Sequence, residues 1–225
     1  MKYIQVLPSV AGKVSSLLLD IGAIKLNLEQ PFTWSSGLKS PIYCDNRISL
    51  SYPAERTFIK SELTSLVKTY FEGVQGIVGV ATAGIPQGAL IADALNLPFI
   101  YVRSSPKGHG MENIIEGKIE KNIKLVVVED LVSTGGSSLK AVNAIRNAGM
   151  EVLGMVAIFS YGFEKAEVNF KNSGTKLYCL SDYEHLLQQA IDKKHISSKD
   201  LEQLRSWRIS PDTWFSEKQS KRVNS

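Results

Sequence analysis

A chain of 225 residues is long enough for one sizeable core and short for two full domains. Hydrophobic residues make up 44% and charged residues 21%, an ordinary soluble balance, and no apolar run approaches the ~20 residues that span a bilayer. The net charge is +4, part of it in the C-terminal Lys218, Lys221 and Arg222, so no nucleic-acid patch is required and local attraction for a small polyanion suffices.

Within residues 9–27, Val10, Val14, Leu17, Leu18 and Ile21 recur at helical intervals, with Ser9 as N-cap and Gly22 as the stop. Gln30 to Asp45 carries aromatic and β-branched residues on both sides of a Ser36-Gly37 turn, which predicts a hairpin outside the main sheet. On periodicity alone it is an edge hairpin of normal surface polarity. From Pro53 to Phe71, the residues Phe58, Ile59, Leu63, Leu66, Val67 and Tyr70 share one helical face, with Pro53 suited to the first turn. Gly76 to Val80 reads as a short buried strand, followed by the small-residue loop Ala81-Thr82-Ala83-Gly84-Ile85-Pro86 and a helix to about Leu95. Gly84 would let a ligand approach the backbone, although a tight turn accounts for it without one.

Phe99 to Val102 is the next strand and ends in Arg103 to Asn113. This segment holds three potential cations, Arg103, Lys107 and His109, while Pro106, Gly108 and Gly110 discourage regular structure. It reads either as a solvated basic loop or as a mobile basic lid that closes over a polyphosphate and excludes water.

Lys124 to Ser138 is the most informative stretch. Leu125 to Val128 is an unbroken apolar run of the kind a strand needs when both faces are covered. Two adjacent carboxylates, Glu129 and Asp130, come directly after it, then Leu131, Val132 and the turn Ser133-Thr134-Gly135-Gly136-Ser137. A helix follows through Leu139, Val142 and Ile145 to Ala148. The paired glycines let backbone N–H groups turn inward, and the helix adds its positive end, so the loop can hold a phosphate. The carboxylates would repel a bare anion, so the pattern calls for a ligand with hydroxyls beside its phosphate, which a ribose 5-phosphate has. No Lys follows the glycines as a Walker A loop requires, and Gly-Gly is not GxGxxG. The plain alternative is a strand-to-helix turn with an N-cap serine and a solvated acidic pair.

Gly149 stops that helix, and Glu151 to Phe159 is another strand. Ser181-Asp182-Tyr183-Glu184 predicts a capping box opening a helix through Leu186, Leu187 and Ile191, with His185 a surface or packed residue rather than a catalytic one. A last helix runs from about Ser198 to near Trp207, and residues 216–225, polar and basic, are expected to be disordered. Cys44 and Cys179 show neither metal-ligand spacing nor a disulfide framework, and the N-terminus lacks a basic region followed by a long apolar run, so a cytoplasmic location is expected. The strand-helix alternation implies an α/β fold with a mostly parallel sheet, helices on both faces, and a site where the loops after Val80, Val102 and Val128 meet.

Val126 to Ser138 resembles the phosphoribosyl-pyrophosphate (PRPP) signature of type I phosphoribosyltransferases. Its Glu-Asp-Leu-Val-Ser-Thr-Gly-Gly-Ser wording is similar to that of the orotate phosphoribosyltransferases in particular, and Phe32 to Pro41 resembles their Phe-Thr-x-x-Ser-Gly-x-x-Ser-Pro segment. The resemblance implies a single domain over residues 1–215, with a hood over the base pocket from about 1–50, a core of about 51–180, and C-terminal helices over 181–215. It implies that Glu129 and Asp130 meet the ribose hydroxyls, that Leu131, Val132, Ser133, Thr134, Gly135, Gly136 and Ser137 complete the PRPP site, and that Ser133 also contacts orotate. The loop at 81–86 would touch the pyrophosphate. Arg103, Lys107 and His109 match the family's basic catalytic loop, with Lys107 and Asp130 expected to carry catalysis. Magnesium would arrive with PRPP, with no protein side chain assigned to it. The family is dimeric, so a homodimer with the lid shared across subunits is expected, its partners being PRPP and orotate, with no nucleic acid and no membrane. The chain departs from many relatives at Ser104, Ser35 and Ala83, each where a Lys is common, and at Tyr161, near an orotate-binding Arg. Lys39 and Arg47 are candidates for the orotate carboxylate. A phosphoribosyltransferase for another base and a PRPP-sensing regulator are the rival classes; the hood segment speaks against the first, and the second would need a partner-binding module.

Overall fold

The computed structural model describes residues 2–34, 36–105, 114–118 and 120–217. The chain enters through strand β1 (Ile4–Val6) and helix α1 (Pro8–Asp20), with Leu7 in the N-cap position and Pro8 at the helix start. Ser9 therefore lies inside the helix, not at its cap: proline has its φ preset and no N–H to satisfy, so it takes the first helical position. Strands β2 (Ile24–Leu26), β3 (Phe32–Thr33), β4 (Lys39–Ser40) and β5 (Ile42–Cys44) form two antiparallel ribbons, β2 with β5 and β3 with β4, outside the main sheet. The expected hairpin is present, extended by a second ribbon that draws in residues 24–26. A 3-10 helix (Asn46–Ser51) leads into α2 (Pro53–Tyr70), with Pro53 in its first turn as the sequence suggested.

Strand β6 (Gly76–Val80), helix α3 (Gly84–Leu95) and strand β7 (Phe99–Val102) follow as expected. Next come β8 (Ile115–Glu116), β9 (Lys124–Val132), α4 (Gly136–Asn147) and β10 (Glu151–Ser160). Helix α5 (Glu164–Ser173) and strand β11 (Leu177–Asp182) were not anticipated, and α6 (Tyr183–Asp192) and α7 (Asp200–Ile209) close the fold. The capping box is corrected. Asp182 is the N-cap of α6, its carboxylate accepting the His185 N–H at 3.0 Å. Ser181 is instead buried, its hydroxyl 2.6 Å from that of Ser15 and donating to the Ala11 carbonyl at 2.8 Å. The expected disorder is corrected at its start, because residues 214–217 form a helical turn whose Trp214 is buried and donates to the Gln203 carbonyl at 3.1 Å. The rest of that segment lies outside the described residues.

The seven main strands run in the order β1-β11-β10-β9-β6-β7-β8, and every neighbouring pair is parallel except β7 with β8. Alternation along β9 divides the core into two faces. Val126 and Val128 pack with residues of α1, α2, α3, α6 and α7, while Leu125 and Val127 pack with Leu139, Val142 and Ile145 of α4 and Phe170 of α5. Helices thus cover both faces of a parallel sheet, and parallel strands deliver their following loops to one edge. At that edge Trp207 of α7, fully buried, meets Trp34 of the hood, Tyr161, Phe163 and Tyr183 at ring-centroid distances of 5.5–5.7 Å. The hood and the C-terminal helix are thereby fixed to the end of β10. Among the described residues, no helix is long and apolar enough to cross a membrane.

Candidate active site

Strand β9 runs four residues past the apolar run, because its ladder with β10 continues: Glu129 pairs with Ala157, Leu131 with Phe159 and Val132 with Ser160. The acidic pair therefore sits on a rigid strand, not in a loop entrance. Glu129 is 6% exposed; its carboxylate accepts the Ser138 hydroxyl at 3.1 Å and the Asp130 N–H at 3.2 Å. Burial, and then the neighbouring Asp130 charge, push its carboxyl well above the usual range, and burial raises Asp130 as well. Glu129 thus has one hydroxyl and one backbone N–H as donors, and the Leu131 backbone N–H serves Asp130.

The turn after β9 is shaped by its neighbours. Gly135 has φ +79°, and a Cβ there would stand 2.6 Å from the Phe170 ring, so both conformation and space demand glycine. Asn169 of α5 donates to the Thr134 carbonyl at 2.9 Å, and Asn46 of the 3-10 helix donates to the Asp130 carbonyl at 2.8 Å. Gly136 and Ser137 open α4 and are exposed, leaving the helix N-terminus free for an anion. Val132 faces the core and Leu131 packs against it, so either would meet a ligand through its backbone. In the neighbouring loop the Ala81–Thr82 peptide bond is cis, and Gly84 lies so close to the Val128 carbonyl that no Cβ could fit. Loop 81–84 is thus pressed against β9 beside the acidic pair.

Of the basic loop, Arg103 is described: its Nη1 lies 3.2 Å from Glu116 Oε1. Lys107 and His109, and Ser35 in the hood, lie outside the described residues. Of the two sequence candidates for a carboxylate partner, Arg47 is engaged by a carboxylate and Lys39 by a hydroxyl. Arg47 holds both oxygens of Asp45 at 2.7 and 2.8 Å, and Lys39 donates to the Thr33 hydroxyl at 2.6 Å. A cleft of about 740 Å³ opens between the hood and the loop after β9, lined by Trp34 and Leu38, by Ser133 and Thr134, by Phe163 and Lys165, and by Arg208, Ile209 and Asp212. The structure brings Ser133 and Thr134 to this cleft and to the acidic strand at once. Sequence reasoning missed Ser138, Asn46, Asn169 and Arg208, since each acts through a contact tens of residues away or one helical turn on. Among the described residues, no group of three or more His, Cys, Asp or Glu could hold a metal.

Buried Glu129 beside half-buried Asp130, a Gly-Gly turn at a helix N-terminus and an adjoining cleft make a site suited to a ligand that carries hydroxyls beside a phosphate. The Phosphoribosyl transferase domain family matches residues 59–183. This chain is 55% identical over 201 residues to the orotate phosphoribosyltransferase of Porphyromonas gingivalis, covering 89% of this chain and 96% of that one. It is 48% identical over 206 residues to the enzyme of that name from Listeria monocytogenes, covering 92% and 99%. Among solved structures, the orotate phosphoribosyltransferase from Aeropyrum pernix matches with a TM-score of 0.70 at 29% identity, over 78% of this chain and 97% of that one. Leishmania donovani UMP synthase matches with a TM-score of 0.74 at 27% identity, over 88% of this chain but 42% of that longer one. The chain belongs to the phosphoribosyltransferases and, within them, to the orotate phosphoribosyltransferase family.

Proposed function

We propose that this chain transfers the 5-phosphoribosyl group of PRPP to orotate, giving orotidine 5′-monophosphate and pyrophosphate, as a cytoplasmic enzyme of pyrimidine nucleotide synthesis. The observation that carries the reading is buried Glu129 beside half-buried Asp130 on a strand that ends at the glycine turn, in a chain 55% identical to a named orotate phosphoribosyltransferase. On this reading Glu129 and Asp130 accept hydrogen bonds from the ribose 2- and 3-hydroxyls, and their negative charge favours the oxocarbenium-like C1 that forms as the C1–O bond breaks. Residues 133–137 hold the 5-phosphate through backbone N–H groups and the hydroxyls of Ser133, Thr134 and Ser137. Ser133, which also faces the cleft, orients the base so that its N1 meets C1 as pyrophosphate leaves.

Arg103, Lys107 and His109 neutralise the leaving pyrophosphate, with Lys107 foremost, and the loop that carries them closes over the site of the neighbouring subunit in a homodimer. Glu129 and Asp130, adjacent on β9, are the acidic side chains that would stand nearest a magnesium ion carried by the substrate. When bound, magnesium would offset charge on the pyrophosphate oxygens. Purified protein should consume orotate, read by its ultraviolet absorbance, only when PRPP and magnesium are both present, and should leave adenine, hypoxanthine and uracil essentially untouched. Turnover of a purine at a rate comparable to orotate would overturn the assignment.

A further inference from the structure

Among the described residues that line the cleft, one cation is half-buried. Lys165 and the carboxylates of Glu164 and Asp212 on its rim are exposed, whereas the Arg208 side chain is 30% exposed and held on α7. Its surroundings leave it with charge to spare. Arg208 Nη2 lies 3.1 Å from one oxygen of Glu184, and Arg205 approaches the other oxygen at 3.2 Å, so two guanidinium groups share a single carboxylate. Arg208 Nη1 makes no hydrogen bond to a described residue, and it rests 3.4 Å from where a Cβ on Gly162 would stand. It is therefore a donor edge lying beside the Tyr161–Phe163–Trp207 aromatic wall, where a charge-assisted bond is stronger than in open water. By contrast, the Arg47 fork is closed on Asp45, and Lys39, which donates to the Thr33 hydroxyl, does not line the cleft.

We infer that Arg208 is the specificity-determining residue for the acceptor base, with its Nη1 edge donating to the carboxylate that distinguishes orotate from uracil. This rests on the reaction proposed above. Ser133 and Thr134 line the same cleft, so a pyrimidine whose carboxylate meets Arg208 lies beside the loop that holds the ribose phosphate. A guanidinium suits the task because its planar fork can keep one edge on Glu184 and give the other to the ligand.

The test compares the wild-type enzyme with Arg208→Gln, Arg208→Lys and Glu184→Gln. For Arg208→Gln the KM for orotate should rise by about tenfold or more, the loss of one charge-assisted hydrogen bond, with the KM for PRPP little changed. Competition by uracil should be unaffected, so the preference for orotate over uracil shrinks by the same factor. Arg208→Lys should recover part of the loss. Glu184→Gln, which removes the ion pair but keeps the guanidinium, should leave the orotate KM within about twofold. Equal weakening of orotate, uracil and PRPP, or a Glu184→Gln effect as large as that of Arg208→Gln, would show a packing role and overturn the inference. So would an unchanged orotate KM in an active Arg208→Gln enzyme, which leaves the proposed reaction standing. Should Arg208→Gln fail to fold, Arg208→Lys and Glu184→Gln decide between the same outcomes. A wild-type enzyme that ignores orotate would instead overturn the proposed reaction itself, and the inference with it.

Discussion

Glu129 is a carboxylate almost shut off from water, with one hydroxyl and one backbone N–H to satisfy it and another carboxylate beside it. Its raised pKa means that the folded chain disfavours the ionised form. The associated stability is complete below the ordinary carboxylate pKa of about 4.3 and is lost as pH rises through the raised value. Glu129→Gln removes the charge and keeps an oxygen for Ser138, so the variant should melt above the wild-type protein at pH 8, by about 2–4 °C for each kcal/mol relieved. The gap should close as the pH is lowered towards the ordinary carboxylate range, and a scanning calorimetry series would show it. A variant that melts lower at alkaline pH would mean that the ionised pair holds the fold together. That this pair stands just before a glycine turn opening a helix was legible in the sequence. Its supports were not: Ser138 is one turn into the next helix, and Asn46 lies 84 positions from the carbonyl it binds. Pairing at such separations is created by the sheet order and leaves no periodic trace.

At the scale of elements, the turn after β9 and helix α5 behave as one unit. Phe170 is fully buried against Gly135, and Asn169, its neighbour on α5, holds the Thr134 carbonyl. Gly135→Ala should lose about 1–3 kcal/mol, from the positive φ and from contact with the Phe170 ring. Phe170→Leu shrinks the ring, so the double variant should be less destabilised than the sum of the two single ones by about 0.5–3 kcal/mol, measured by urea unfolding. Simple additivity would show that φ alone sets the demand for glycine. Elements with a long apolar face, such as α2, and the buried run of β9 were readable from spacing. Helix α5 was not, because it buries only Ala166 and Phe170, and two positions do not define a period. Strand β11 is a six-residue run covered on both faces, which sequence alone does not separate from part of a helix. Strand β1 has three residues, and a carboxylate far along the chain holds its start: Glu167 accepts from the N–H groups of Tyr3, just before the strand, at 2.6 Å and of Ile4 at 3.0 Å.

For the whole molecule, the sheet order bears on which subunit the basic loop serves. That loop joins β7 to β8, the outermost strand on its side, while the acidic pair stands on β9, three strands in from β8. On the proposed dimer, Lys107 would serve the site of the neighbouring subunit. In an isologous dimer each site would then combine Asp130 of one chain with Lys107 of the other. Lys107→Ala and Asp130→Asn homodimers should each lose turnover by about tenfold or more, since in the proposed reaction both groups act on the transition state. Co-expressed in equal amount, the two chains should form about half hybrid dimers, each with one site that has both native residues and one that has neither, so about a quarter of wild-type activity should return. Hybrids no more active than their parents would show that the loop closes over its own subunit or that the chain works as a monomer.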